Sequence, residues 1–225
     1  MTWHPRATAA LGIGYLVLTM TGLVLAPMLD LGASGPEVRN YLRTVDTASF
    51  IAGGYLQLAA FVTLLAFLVR LSAPAQPVVG RLAGAGATFA LTCVGTGMAI
   101  SGAVVLHHRT VALATATVLM TAASLLTWIS LIGLAVALGA LGSATLASRE
   151  LPRWMNWSAL GTAVGLAVSV PFASTGIAHV PAAFFDLWIL VAAVILLART
   201  GVGHEVSAEV QRAPRSTREP VAPPA

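Results

Sequence analysis

The chain has 225 residues, of which 57% are hydrophobic and only 9% are charged, and its net charge at pH 7 is +4. Soluble domains carry about 25% charged residues, so this composition excludes an ordinary water-soluble globule and points to a membrane protein. The positive balance does not point to nucleic acid, because the 12 basic residues are all arginines scattered at the ends of apolar runs. High alanine, glycine and valine with no lysine reads as GC-rich coding rather than as chemistry. Cys93 is the single cysteine, which excludes an intrachain disulfide and a cysteine-pair metal site.

Taken in order, the chain opens with MTWHPR and then an apolar run from Ala7 to Leu29. The apolar core of a secretory signal is only about 7–15 residues long, so this run predicts an uncleaved first span. The connection DLGASGPEVRNYLRTVD follows. Ser34 and Glu37 have capping-box spacing, and Pro36 suits a first helical turn. Val38, Tyr41, Leu42 and Val45 fall on one face, so a short amphipathic helix from Pro36 to Val45 is expected in this first outer loop.

The second span is expected from Thr47 to Leu71, with Asp46, Gly53, Gln57 and Ala60 sharing a face. SAPAQPVVG reads as a proline-broken turn, and the third span as Leu82 to Leu106. Gly84, Thr88, Thr92, Gly95, Ala99 and Gly102 line one stripe of that span, where small residues let membrane helices approach closely. His107, His108 and Arg109 close it. The fourth span, Thr110 to Ser148, is uncharged and proline-free, and longer than the roughly 20 residues that a 30 Å hydrocarbon core requires. Thr117, Thr121, Ser124 and Trp128 lie on one of its faces.

SRELPRW turns the chain into a fifth span, with Trp154 and Trp157 as interface residues and Gly161 and Gly165 as a close-packing pair. AHVP leads to a sixth span, Ala182 to Leu197, whose opening turns carry Phe184, Phe185, Asp186 and Trp188. The polar, proline-bearing residues 201–225 read as a disordered cytoplasmic tail after a 1–200 membrane domain. The fold class expected is therefore all-α, an integral membrane bundle of six transmembrane helices with the amphipathic helix in its first outer loop. Nine of the 12 arginines fall on the side that holds both termini, and Arg39, Arg43 and Arg109 on the other, which predicts cytoplasmic termini.

No serine-histidine-acid arrangement, HExxH, phosphate loop or dinucleotide glycine pattern is present, so a non-enzymatic role is expected and no cofactor is called for. The candidate polar or ligand site gathers Asp186 with His179, His107, His108 and Arg109, which share one predicted depth, and Gln57, Thr121 and Ser124 on facing stripes. An acid inside a membrane span ordinarily has a partner or a task. For Asp186 the expected partner is one of those histidines or Arg109. Three functions follow: an accessory, sensory or small apolar-ligand-binding bundle; a small permease along the Gln57/Thr121 stripe; and a metal- or haem-binding redox subunit using the outer histidines. The small-residue faces predict a second copy or another membrane protein as a partner beside the lipid bilayer.

The order of parts, a first span, a charged outer helical loop, two glycine-alanine spans, a long fourth span and the turn ELPRWMNW, resembles a large group of uncharacterised bacterial six-span membrane proteins. Leu151-Pro152-Arg153-Trp154 is the most specific element of the likeness, which covers about residues 8–200. The resemblance implies a bacterial cytoplasmic membrane and six crossings. It transfers no mechanism and no functional residues.

Overall fold

The computed structural model describes residues 5–72, 77–148, 151–175 and 179–212. Its elements are α1 (Pro5–Leu25), α2 (Gly35–Thr44), α3 (Thr47–Ser72), α4 (Pro77–Leu106), α5 (Leu113–Ser148), α6 (Arg153–Ser169), a 3-10 turn (Val170–Phe172) and α7 (His179–Arg212). No strand occurs among the described residues. Five helices, α1, α3, α4, α5 and α7, are long and apolar enough to cross a membrane. The expected fifth span, α6, has 17 residues before it tightens into the 3-10 turn. Pro171 lies in that turn and has no N–H to donate to the preceding helical turn, so the α-helix stops short.

Two other boundaries differ most from expectation. Pro77, read as part of a broken turn, instead opens α4 in the first-turn position where its missing N–H costs nothing; residues 73–76 of that turn lie outside the described residues. At the other end α7 continues through Gly201 to Arg212, into the stretch expected to be disordered. Nothing before Pro214 forbids a helix there, and the residue preceding a proline disfavours one. Residues 213–225 of the expected tail lie outside the described residues.

Two apolar clusters are stacked along the bundle. The larger joins α1, α3, α4, α5, α6 and α7 through Tyr15, Phe67, Ala90, Leu138, Leu166 and Ile189, all buried. The smaller joins Val38 and Leu42 of α2 to Phe50, Val104, Val105, Ala116 and Met120. Tyr41 and Val45 of α2 pack against that second cluster. At the head of α2 the Glu37 carboxylate accepts from the Ser34 backbone N–H at 2.6 Å and from the Ser34 hydroxyl at 2.8 Å.

The helices approach most closely at glycines. A Cβ on Gly53 would sit 2.7 Å from the Ala26 backbone nitrogen and 2.8 Å from the Gly22 carbonyl, and α1 meets α3 there. On the α4–α5 pair, a Cβ on Gly86 would lie 2.5 Å from the Gly133 carbonyl, and one on Gly97 would lie 2.9 Å from that of Ala123. Only hydrogen fits at these crossings. Small residues are what let apolar helices gain dispersion contact when burial from water does not separate protein from lipid.

A length argument locates these parts along the helix axes. Arg6, Arg70, Arg81 and Arg153 stand near one end of their helices, and Arg199 closes the apolar part of α7 before it runs on to Arg212. About 20 helical residues, or 30 Å, counted from that end lead to Ala26, Phe50, Ser101, Ala173 and His179. The His179 ring indeed stacks edge-on against Trp128 of α5, centroids 5.0 Å apart, which fixes the level on α5. Beyond Trp128, α5 runs on to Leu113 for a further 22 Å or so. The smaller cluster and α2 belong to this overshoot.

Candidate functional site

The residues singled out by sequence fall into three places. The first is the non-helical segment between α1 and α2. Backbone that leaves a helix needs partners for its buried carbonyls, and side chains from three helices supply them. Gln57 of α3 donates to the Ala26 carbonyl at 3.5 Å, Tyr41 of α2 to that of Pro27 at 2.8 Å, and Ser124 of α5 to that of Leu29 at 3.0 Å. Burial pushes the Tyr41 hydroxyl up to about 12, so it stays protonated and keeps donating. Thr121, expected on the same polar stripe, donates back to the Thr117 carbonyl of its own helix at 2.9 Å. A cavity of only about 10 Å³ lies beside Ser124 and Met120, about one water molecule in size. Gln57 and Ser124 are committed to holding a loop.

The second place is the α1–α7 contact. The Tyr15 hydroxyl donates to the Asp186 carboxylate at 2.9 Å, in a partly buried setting. Phe61 of α3 and Phe185 of α7 stand edge-on to the Tyr15 ring, with centroids at 6.4 and 6.3 Å. Asp186 lies seven residues, about 10 Å, along α7 from His179. Its partner is thus a tyrosine from the first helix, where a histidine or Arg109 was expected. The expectation rested on shared depth, and side-chain direction decides instead: His108 turns its Nδ1 to the Val105 carbonyl at 2.8 Å, and His107 and Arg109 are exposed in the α4–α5 turn. His179 stands against Trp128 instead. Among the described residues no three histidine, cysteine or acidic side chains gather in a way that could hold a metal ion.

The third place is one that sequence reading did not anticipate. A cleft of about 280 Å³ opens where the 3-10 turn and the start of α7 meet the α1–α2 segment and α5. Leu23, Met28, Leu131, Ala173 and Ala182 wall it, with the Trp128 ring, and Asp30, Ser124 and His179 supply its polar groups. Ala182 sits one turn outward of Asp186 on α7, so the cleft ends close above the Tyr15–Asp186 pair. Ala173, just past the 3-10 turn that follows α6, closes one side of this space. The sequence signal for it was Pro171, which ends the helix early, together with the aromatic and histidine at Trp128 and His179.

At the arginine end the contacts are structural. Thr145 donates to the Asn156 side chain at 2.8 Å, and the Trp188 indole N–H donates to the Met155 carbonyl at 3.1 Å, tying α5, α6 and α7. No protein-family model, no curated protein and no solved structure matches the chain.

Proposed function

We propose that this chain is a six-crossing integral protein of a bacterial cytoplasmic membrane, with both termini cytoplasmic, that binds a small apolar molecule in the cleft beside Trp128 and catalyses no reaction. The five long apolar helices support the membrane reading. In this reading α6 and its 3-10 turn make the remaining, short crossing, α2 caps the outer face as an amphipathic helix, and the exposed Trp154 and Trp157 stand at the inner interface. The likeness of the Leu151–Trp154 turn to uncharacterised six-span proteins is in keeping with it.

The observation that carries the ligand reading is the composition of the cleft. Binding sites are concave and mostly apolar, with a few placed polar groups that set orientation, and this cleft combines aliphatic walls and an indole with Asp30 and His179. Gln57 and Thr121 are both bonded to backbone carbonyls, and the hollow of about 470 Å³ between α3 and α4 is lined by Gly54, Leu58, Gly95 and Met98 instead.

Photolabelling tests the cleft. A short alkyl diazirine, irradiated with the protein in lipid nanodiscs, should mark peptides containing Trp128 and Ala182, and Ala182→Phe should remove most of that label while sparing label elsewhere. Uniform labelling of lipid-facing helices, unchanged in Ala182→Phe, would defeat the ligand reading. Orientation is checked separately with an impermeant thiol reagent on intact cells, using cysteines at Asn40 or Ser216 in a Cys93→Ser background. The Asn40 site should react and the tail site should not.

A further inference from the structure

A smaller hollow, distinct from the cleft, lies between α2 and the α4–α5 turn. Arg39 and Arg43 are one turn apart on the exposed face of α2, and His108 closes the α4 end opposite them. Together they rim a notch of about 230 Å³ whose floor is Leu42, Val111 and Ala116. Three cation-capable groups around one hollow ordinarily attract acids, and two acids are near in sequence. Both are engaged elsewhere. Glu37 is held by Ser34 at the head of α2, and Asp46 accepts the Ser49 backbone N–H at 2.8 Å at the head of α3. These hydrogen bonds hold both carboxyls below their usual range, so they stay ionised caps. Among the described residues no carboxylate pairs with Arg39 or Arg43.

His108 is fixed as well. A carbonyl can only accept, so Nδ1 carries the proton in its 2.8 Å bond to Val105, and Nε2 is left for another partner. Guanidinium groups offer forked donors suited to phosphate oxygens, and Nε2 can accept an O–H, from the headgroup glycerol of a lipid or from the P–OH of a soluble phosphate.

We propose that Arg39, Arg43 and His108 form a binding site for a phosphate-type oxyanion, either the headgroup of an anionic phospholipid or a soluble phosphate. The site lies beyond the level of Ala26 and Phe50, where headgroups and water meet the protein, and its apolar floor suits the glycerol and first methylenes of a lipid. It is independent of the cleft, so either reading can fail alone.

The test compares the full chain with Arg39→Gln/Arg43→Gln in nanodiscs of phosphatidylcholine alone and of phosphatidylcholine with phosphatidylglycerol. Wild type should melt higher in the anionic lipid and retain phosphatidylglycerol in native mass spectrometry. The double variant should lose that shift, and its retained lipid should fall several-fold. Because the readout is a difference between lipids within one variant, a general loss of stability cancels. Added salt should shrink the wild-type shift. Inorganic phosphate, titrated in phosphatidylcholine nanodiscs, separates the sources: a saturable shift that the double variant lacks assigns a soluble anion, and a shift with phosphatidylglycerol alone assigns the lipid. Identical responses of wild type and double variant to both probes would overturn the site.

Discussion

Gly133→Ala should lower the melting temperature of the purified protein, whereas Gly102→Ala should leave it unchanged or raise it. The two substitutions add the same methyl group to neighbouring helices. At Gly102 nothing lies within 4 Å of the added carbon, so the gain in helix propensity, up to about 1 kcal/mol, goes unopposed. At Gly133 the carbon would run into the Gly86 carbonyl and lie 2.9 Å from the Ala90 nitrogen. Both are backbone atoms of α4, which cannot swing aside as the tip of a side chain can. The helices must move apart, and the contacts at Ala90 and Ala137, each fully buried, are loosened with them. Overpacking of this kind costs about 1–3 kcal/mol, a shift of roughly 2–12 °C in a chain of this size. The clash therefore outweighs the propensity gain. Equal melting temperatures for the two variants in detergent would show that α4 and α5 do not cross at Gly86 and Gly133.

A second large effect is expected at the α1–α7 contact. Tyr15→Phe removes the one hydroxyl that donates to Asp186 and leaves a partly buried acceptor without it, a loss of about 1–3 kcal/mol. Asp186→Asn should be milder, because the amide oxygen can still accept from Tyr15. Asp186→Leu removes acceptor and acid together, so Tyr15→Phe should then cost less than it does alone. The double-mutant cycle between Tyr15→Phe and Asp186→Leu isolates the contact, and coupling of about 1 kcal/mol or more is the expected result. Additive losses would mean that the two side chains stabilise the bundle separately.

The long helices were legible because nothing else in the chain competes with an uninterrupted apolar run: α3 begins at Thr47 and α4 ends at Leu106, both as read from sequence. Less legible was where a helix gives out. Pro171 truncates α6 by geometry that a hydropathy sum does not register, while Gly201 looked like an end and is crossed by α7. The candidate site was only partly legible. Asp186 was singled out by its chemistry, but its partner lies 171 residues away in sequence, and depth alone could not distinguish a tyrosine on α1 from histidines at the α4–α5 turn. Gln57 and Ser124 stood out as polar groups in apolar helices. Their use became visible only once the carbonyls of Ala26 and Leu29 were seen to need donors.

In the proposed membrane placement the overshoot of α5 puts one molecule in two solvents. Within the 30 Å slab, folding exchanges lipid contacts for protein contacts, and little apolar surface leaves water. Around Val38, Phe50, Val105 and Met120 the aqueous hydrophobic effect operates as it does in a soluble domain. Cooling and urea weaken that effect, so they act on the outer cluster and spare the helix crossings at Gly53 and Gly86. The cap formed by α2 is then the part of the fold that answers to the composition of the surrounding water, and in urea it should loosen before the spans beneath it.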